Sequence, residues 1–276
     1  MSFSPRQPAA MGIHYMNYPL PDMLELQKRA GYQSIELWCG APHVLLSPWG
    51  VGEKDTLLST IRASGLRLVC VTPENCAYPW QFAAKGAALI ADSRAYFLNG
   101  LHLASELECP FMAVNSGWGL ATEPREEAMN RSLEMIDWLC QQALPLGVTL
   151  VMESLRPEET NLVNNLSETV AFLRKLGRSN LKPMVDTCAM AVAGESLEEW
   201  FSAFPGEIAH LHFVDGTPYG HLAWGDGNRD LAAYVSTLEA RGYTGALTQE
   251  ITDERYFMDP FAADCKSIEA LRPYIA

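Results

Sequence analysis

The sequence predicts an α/β fold, a single closed (β/α)8 TIM barrel. Three observations predict it. Short apolar segments alternate with helical ones through eight successive units, and strict alternation implies parallel strands joined by right-handed crossovers. The chain has 276 residues, and one barrel of about 250 residues is an ordinary solution at that length. Four successive apolar segments run straight into a metal-compatible side chain: residues 149–152 into Glu153, 182–185 into Asp186, 208–211 into His212 and 246–249 into Glu250. An open doubly wound sheet is the structural alternative, but no GxGxxG follows the first strand.

The elements follow in order. Residues 1–10 read as a loose arm and 12–15 as the first strand. Residues 21–30 form a helix with Asp22 in its first turn and Gly31 as its stop. Residues 34–37 are the second strand, and 38–52 a loop rich in Gly and Pro. Residues 54–64 are a helix ended by Gly65, and 66–71 the third strand. The long aromatic loop 72–82 suggests function rather than mere connection. A helix over 84–107, a strand over 111–114 and a helix over 124–143 come next, with Pro124 compatible with a first helical turn. After the strand at 149–152, residues 167–176 form a helix with Ser167 as a plausible N-cap. Strands at 182–185, 208–214 and 245–249 alternate with helices at 196–204, 231–240 and 258–271. Residues 11–276 thus form one domain. The GDG at 225–227 is a tight turn, without the lysine of a phosphate loop.

Composition narrows the function. Hydrophobic residues make up 48% and charged ones 19%, which fits a globular chain with a sizeable core. The net charge of −13 argues against nucleic acid as a partner, because phosphate backbones need a basic surface. Seven cysteines form no CxxC pair. Cys70, Cys109 and Cys140 lie in or beside apolar segments and read as small buried hydrophobes. A reducing cytoplasm is the expected location. The first residues have no signal-peptide apolar region, and no apolar run is long enough for a membrane span.

Burying an unpaired charge is expensive, so an acid ending a buried strand calls for a metal, a basic partner or a catalytic role. In a barrel of this kind the site lies at the C-terminal ends of the strands. Glu153, Asp186, His212 and Glu250 fall there, and neighbouring strands lie about 5 Å apart. Three carboxylates and an imidazole suit one divalent ion, with Mn2+ the best chemical choice and Co2+, Zn2+, Mg2+ or Ni2+ as alternatives. His210 and His212 lie two apart on a strand and share a face. His212, nearer the strand end, is the preferred ligand; His210 either supports a ligand carboxylate or is a core residue. The aromatics Trp38, Tyr78, Trp80 and Trp118, with His43, follow strands two to four and either line a pocket, bury the barrel mouth or form an oligomer contact. Glu74, near the end of strand three, is a candidate substrate contact. His221 either reaches substrate or lies exposed. Asp215 and Glu158 are acids that could attract a cationic group.

Several stretches carry a resemblance: IELWCGAPH (35–43), VTPENCAYPW (71–80), MESLRPEETN (152–161), MVDTCA (184–189), HLHFVD (210–215) and TQEI (248–251). The chain resembles the xylose-isomerase-like barrel superfamily and, within it, the sugar 3-epimerases, most of all their fructoselysine 3-epimerase branch. The likeness spans about residues 11–270. It implies that Glu153 and Glu250 bind the metal and exchange the substrate proton, that Asp186 and His212 complete the metal site, and that Glu159 contacts substrate. It also favours Trp38 and His43 as pocket residues. Ketohexose 3-epimerases of the superfamily carry a His and an Arg where this chain has Ala189 and Pro218, which turns the expectation toward a modified sugar.

The expected activity is metal-dependent 3-epimerisation of a ketose or ketosamine. One glutamate removes a proton beside a carbonyl, the other returns one from the opposite face, and the ion stabilises the enediolate between. The alternatives are aldose–ketose isomerisation or inosose dehydration on the same scaffold, and further off an abasic-site endonuclease or a non-catalytic sugar-binding protein. The expected partners are a small sugar substrate and further copies of the chain in a homo-oligomer, with neither nucleic acid nor membrane.

Overall fold

Alternation along each strand decides which side chains meet inside. The computed structural model describes residues 3–276. Eight parallel strands form the barrel: β1 Pro8–Ala10, β2 Ser34–Cys39, β3 Arg67–Pro73, β4 Phe111–Val114, β5 Thr149–Met152, β6 Leu181–Asp186, β7 His210–His212 and β8 Leu247–Gln249. They pair in the order β1-β8-β7-β6-β5-β4-β3-β2, and β1 closes the ring against β2. Outside lie α1 Leu20–Ala30, α2 Lys54–Ser64, α3 Ala87–Glu106, α4 Arg125–Ala143, α5 Leu166–Leu176, α6 Thr187–Val192, α7 Leu197–Ala203, α8 Leu231–Ala240 and α9 Pro260–Leu271. A two-stranded antiparallel ribbon, Leu46–Ser47 with Gly50–Val51, projects after β2.

On β5, Leu150 and Met152 are fully buried in the cluster that packs beneath the helices; each such side chain contributes roughly 1.5–3 kcal/mol. Val151 faces the other way, in an inner cluster with Ala9, Val69, Cys70, Ala113 and Met184. Inward positions recur every second residue. Glu153 therefore follows Val151 inward, and Asp186 follows Met184. On β7, Leu211 packs outward in a second cluster, which leaves His210 and His212 facing in. On β8, Leu247 packs outward, so Thr248 and Glu250 face in. On β2, Ile35 and Leu37 pack outward and Glu36 faces in.

Three expectations need correction. The first strand is not at residues 12–15: Ile13–Tyr15 is a single 3-10 turn. The strand is Pro8–Ala10, so the expected arm over residues 1–10 contains a barrel strand, and Phe3 is buried as well. Met1 and Ser2 lie outside the described residues. The segment Pro-Ala-Ala lacks the bulky pattern of a strand, yet small residues suit the gap between β8 and β2, and Pro is tolerated as the first residue of a strand. The N-cap of α5 is Asn165, whose side chain accepts from the Glu168 N–H, rather than Ser167. An unforeseen short helix, α6, follows Asp186 directly.

The two described ends of the chain meet. The Phe3 N–H donates to the Tyr274 carbonyl at 2.7 Å and the Ala276 N–H to the Phe3 carbonyl at 2.9 Å. Among the described residues, no helix is long and apolar enough to cross a membrane.

Candidate active site

At the C-terminal mouth of the barrel, His212 stands between two glutamates. Its Nδ1 lies 2.7 Å from Glu153 Oε1 and 3.0 Å from Glu250 Oε2. Despite these distances, Nδ1 has no hydrogen-bond partner of acceptable geometry. The opposite nitrogen, Nε2, lies 3.0 Å from Glu36 Oε1. The imidazole is thus held from below, and its second nitrogen is aimed into the space between two carboxylates.

Asp186 joins this group through His221. Its Oδ1 accepts from the Cys188 N–H at 2.8 Å, and its Oδ2 accepts from the Ala189 N–H at 3.0 Å, so it caps α6. His221 Nε2 lies 3.1 Å from Asp186 Oδ2 and 3.5 Å from Glu250 Oε2, while its Nδ1 lies 3.2 Å from Thr252 Oγ1. Glu153, His212 and Glu250 offer donor atoms within 4.8 Å of one another, and Asp186, Cys188 and His221 form a second such group.

The charges of the group oppose one another. Burial pushes Glu153 up to about 7, with His212 opposing and Glu250 and Asp186 adding to the rise. Burial alone would also raise Asp186, but His221 and His212 outweigh it and hold the carboxyl well below the usual range. Burial disfavours a charged His212, yet Glu250, Glu153 and Glu36 raise it well above the ordinary imidazole value. His221 is raised in the same way by Asp186 and Glu250. Carboxylates crowd a buried imidazole nitrogen that has no hydrogen-bond partner. That donor set fits a divalent ion.

The walls sort the remaining expected residues. A cleft at the barrel mouth is lined by Trp38, Glu74, Glu159 and His221 beside Glu153, Asp186 and Glu250. The Trp38 Nε1–H donates to Glu74 Oε2 at 2.8 Å, and Glu74 Oε1 accepts from the Cys76 and Ala77 N–H groups at 2.7 and 2.9 Å. Glu159 is gripped by Arg156, whose Nε donates to Oε2 at 3.0 Å.

Trp118 lies beside the cleft. It lines an adjoining groove with Glu158, and the two spaces share Cys76 and Glu159. His43 stands outside both. Its buried Nε2 lies 3.1 Å from each of the Tyr15 and Tyr18 carbonyls, pinning the segment after β1 to the loop after β2, and burial lowers its pKa. Trp80 stacks on Tyr96 of α3, and the Tyr78 hydroxyl accepts from the Ala41 N–H, so these aromatics brace the rim. Asp215 lies outside both spaces. It is buried and accepts from the backbone N–H groups of Gly216, Gly225, Gly227 and Arg229, which folds the GDG turn around it.

Two residues escaped the sequence reading. Asn115 lines the cleft, with its Nδ2 donating to Asn75 Oδ1 at 2.8 Å. Glu36 is the other; its signal was a charged residue at an inward position of an otherwise apolar strand.

A family model described as xylose isomerase-like TIM barrel matches residues 24–274. The chain belongs to the xylose isomerase-like TIM barrel family. Among its curated relatives is fructoselysine 3-epimerase of Escherichia coli O157:H7, 24% identical over 260 residues and covering 94% of each chain. An L-ribulose 3-epimerase of Methylomonas sp. (strain DH-1) is 29% identical over 229 residues, covering 80% of this chain and 74% of its own length. Among solved structures of the fold, 3-keto-D-glucoside 4-epimerase from E. coli superposes with a TM-score of 0.81 at 15% identity, covering 97% of this chain and 99% of the other. These relatives of the family are epimerases of sugars.

Proposed function

We propose that the protein is a metal-dependent 3-epimerase of a ketose or ketosamine. The observation that carries the reading is the pair Glu153 and Glu250, brought from β5 and β8 to either side of His212 Nδ1. Glu153, Asp186, His212 and Glu250 are the residues that would hold one divalent ion, Mn2+ by the chemistry of the donors. When bound, such an ion supplies positive charge that stabilises an enediolate developing on the substrate. Glu153 and Glu250 do the proton work: one takes the C3 proton and the other, protonated, delivers one to the opposite face. Trp38 and Glu159 bound the space beside them, and His221 holds Asp186 and Glu250 in relation to one another.

The adjoining groove supports a substrate longer than a free ketose. Glu158 and Trp118 line it, and the Glu158 carboxylate accepts one hydrogen bond, from the Tyr219 hydroxyl at 3.1 Å. A carboxylate and an aromatic face suit a cationic arm, which favours an aminated sugar of the fructoselysine type. All seven cysteines are free, which suits a reducing cytoplasm.

The test is proton exchange in deuterated solvent with Mn2+ and a panel of ketoses and ketosamines, followed by NMR. Deuterium should enter at C3, and Glu153→Gln should lower the rate by about 10³-fold or more. Label at C1 alone would point to aldose–ketose isomerisation, and loss of water to a dehydratase; either sinks the 3-epimerase reading.

A further inference from the structure

We infer that Glu36 is a positioning residue that fixes which nitrogen His212 turns toward the site. The inference rests on the reading of His212 as an ion ligand. Glu36 lies on β2, which pairs with β1 and β3, so its bonds to β7 cross the barrel interior. Its side chain is fully buried. Three side chains converge on it: His210 Nε2 at 2.6 Å on Oε2, His212 Nε2 at 3.0 Å on Oε1, and the Thr72 hydroxyl, which donates to Oε1 at 2.5 Å.

A carboxylate only accepts, so each imidazole must present N–H to it from Nε2. For a neutral His212 that choice leaves Nδ1 as a lone pair, and Nδ1 is the atom aimed between Glu153 and Glu250. The opposite tautomer would turn an N–H into the same space and bind no ion. Glu36 thereby fixes Nδ1 as the nitrogen that gives up its proton when the ion arrives. Partners behind a ligating histidine commonly fix its tautomer and ring orientation. Glu36 holds two histidines at once, and the pairing also ties down His210, whose Nε2 lies 3.2 Å from Thr248 Oγ1.

Glutamine at this position is an isosteric probe with a specific defect. Its one amide oxygen can accept from one of the two histidines, while its NH2 faces the N–H of the other. One imidazole must then flip or lose its bond.

The experiment has two arms. Long-range 1H–15N spectra of the wild-type protein loaded with diamagnetic Zn2+ read directly which His212 nitrogen keeps its proton. The Nε2–H form is expected, and a dominant Nδ1–H form overturns the inference without any variant. Calorimetric titration with Mn2+ then compares wild type with Glu36→Gln and Glu36→Leu. Affinity is expected to fall about 10-fold for Gln and about 100-fold for Leu, with partial rescue by the conservative change. Wild-type Mn2+ binding with unchanged affinity in folded Glu36→Gln overturns the inference and leaves the proposed function standing. Failure of the wild type to bind Mn2+ instead removes the metal reading on which both depend.

Discussion

Two buried glutamates face the same imidazole from opposite ends, and the barrel treats them differently. Glu36, on the floor, receives His210, His212 and Thr72, and the two histidines outweigh burial to hold its carboxyl well below the usual range. Glu153, at the mouth, is pushed up to about 7 chiefly by burial, beside the carboxylates Glu250 and Asp186. The floor carboxylate is satisfied and rigid. The mouth carboxylate is held in an unfavourable charge state, as a group kept for chemistry rather than for stability often is.

The largest way to break this contrast is to remove each acid and measure thermal unfolding in chelator. Glu36→Ala should lose about 3 kcal/mol or more, because two buried imidazoles and a hydroxyl are left without their partner. Glu153→Gln should leave stability unchanged or raise it by about 1 kcal/mol. Equal losses at the two positions would mean that floor and mouth do not differ in kind.

A smaller effect sharpens the contrast through pH. The folded pKa of Glu153 is raised from 4.5 to about 7. Its contribution is therefore full below 4.5 and is lost as pH rises through about 7. The raised values of His212 and His221 act with the same sign, whereas the depressed Asp186 and Glu36 weaken the fold only under acid conditions. The melting temperature of ion-free protein should thus fall between pH 5 and pH 8. Glu153→Gln should flatten part of that fall, and saturating Mn2+ should abolish most of it. A melting temperature that rises over this interval contradicts the assignment.

The smallest effect concerns a residue outside both environments. His43→Phe should cost about 1–2 kcal/mol, from two lost bonds to backbone carbonyls, while C3 exchange changes less than about threefold. A tenfold or greater loss of exchange would put His43 back among the substrate contacts.

These contrasts show what the sequence could convey. The barrel and the four strand-end donors were legible because alternation and the cost of buried charge are both written locally. The first strand was not, since Pro8-Ala9-Ala10 has small side chains and its pairing depends on β8, far along the chain. Glu36 was passed over because a single charge in a strand reads as its solvent face; only ring closure turns that face toward His210 and His212. The surroundings of His43 and Asp215 were not legible for a related reason. Both lie in loops whose return path is set by tertiary hydrogen bonds, so neighbouring sequence gives no sign of where they point.

The meeting of Phe3 with Tyr274 and Ala276 has a practical consequence. Both ends of the described chain sit at the base of the barrel, on the side away from the cleft. A short linker could splice them, and new ends opened in an exposed loop on that base would give a circular permutant whose reaction centre is undisturbed.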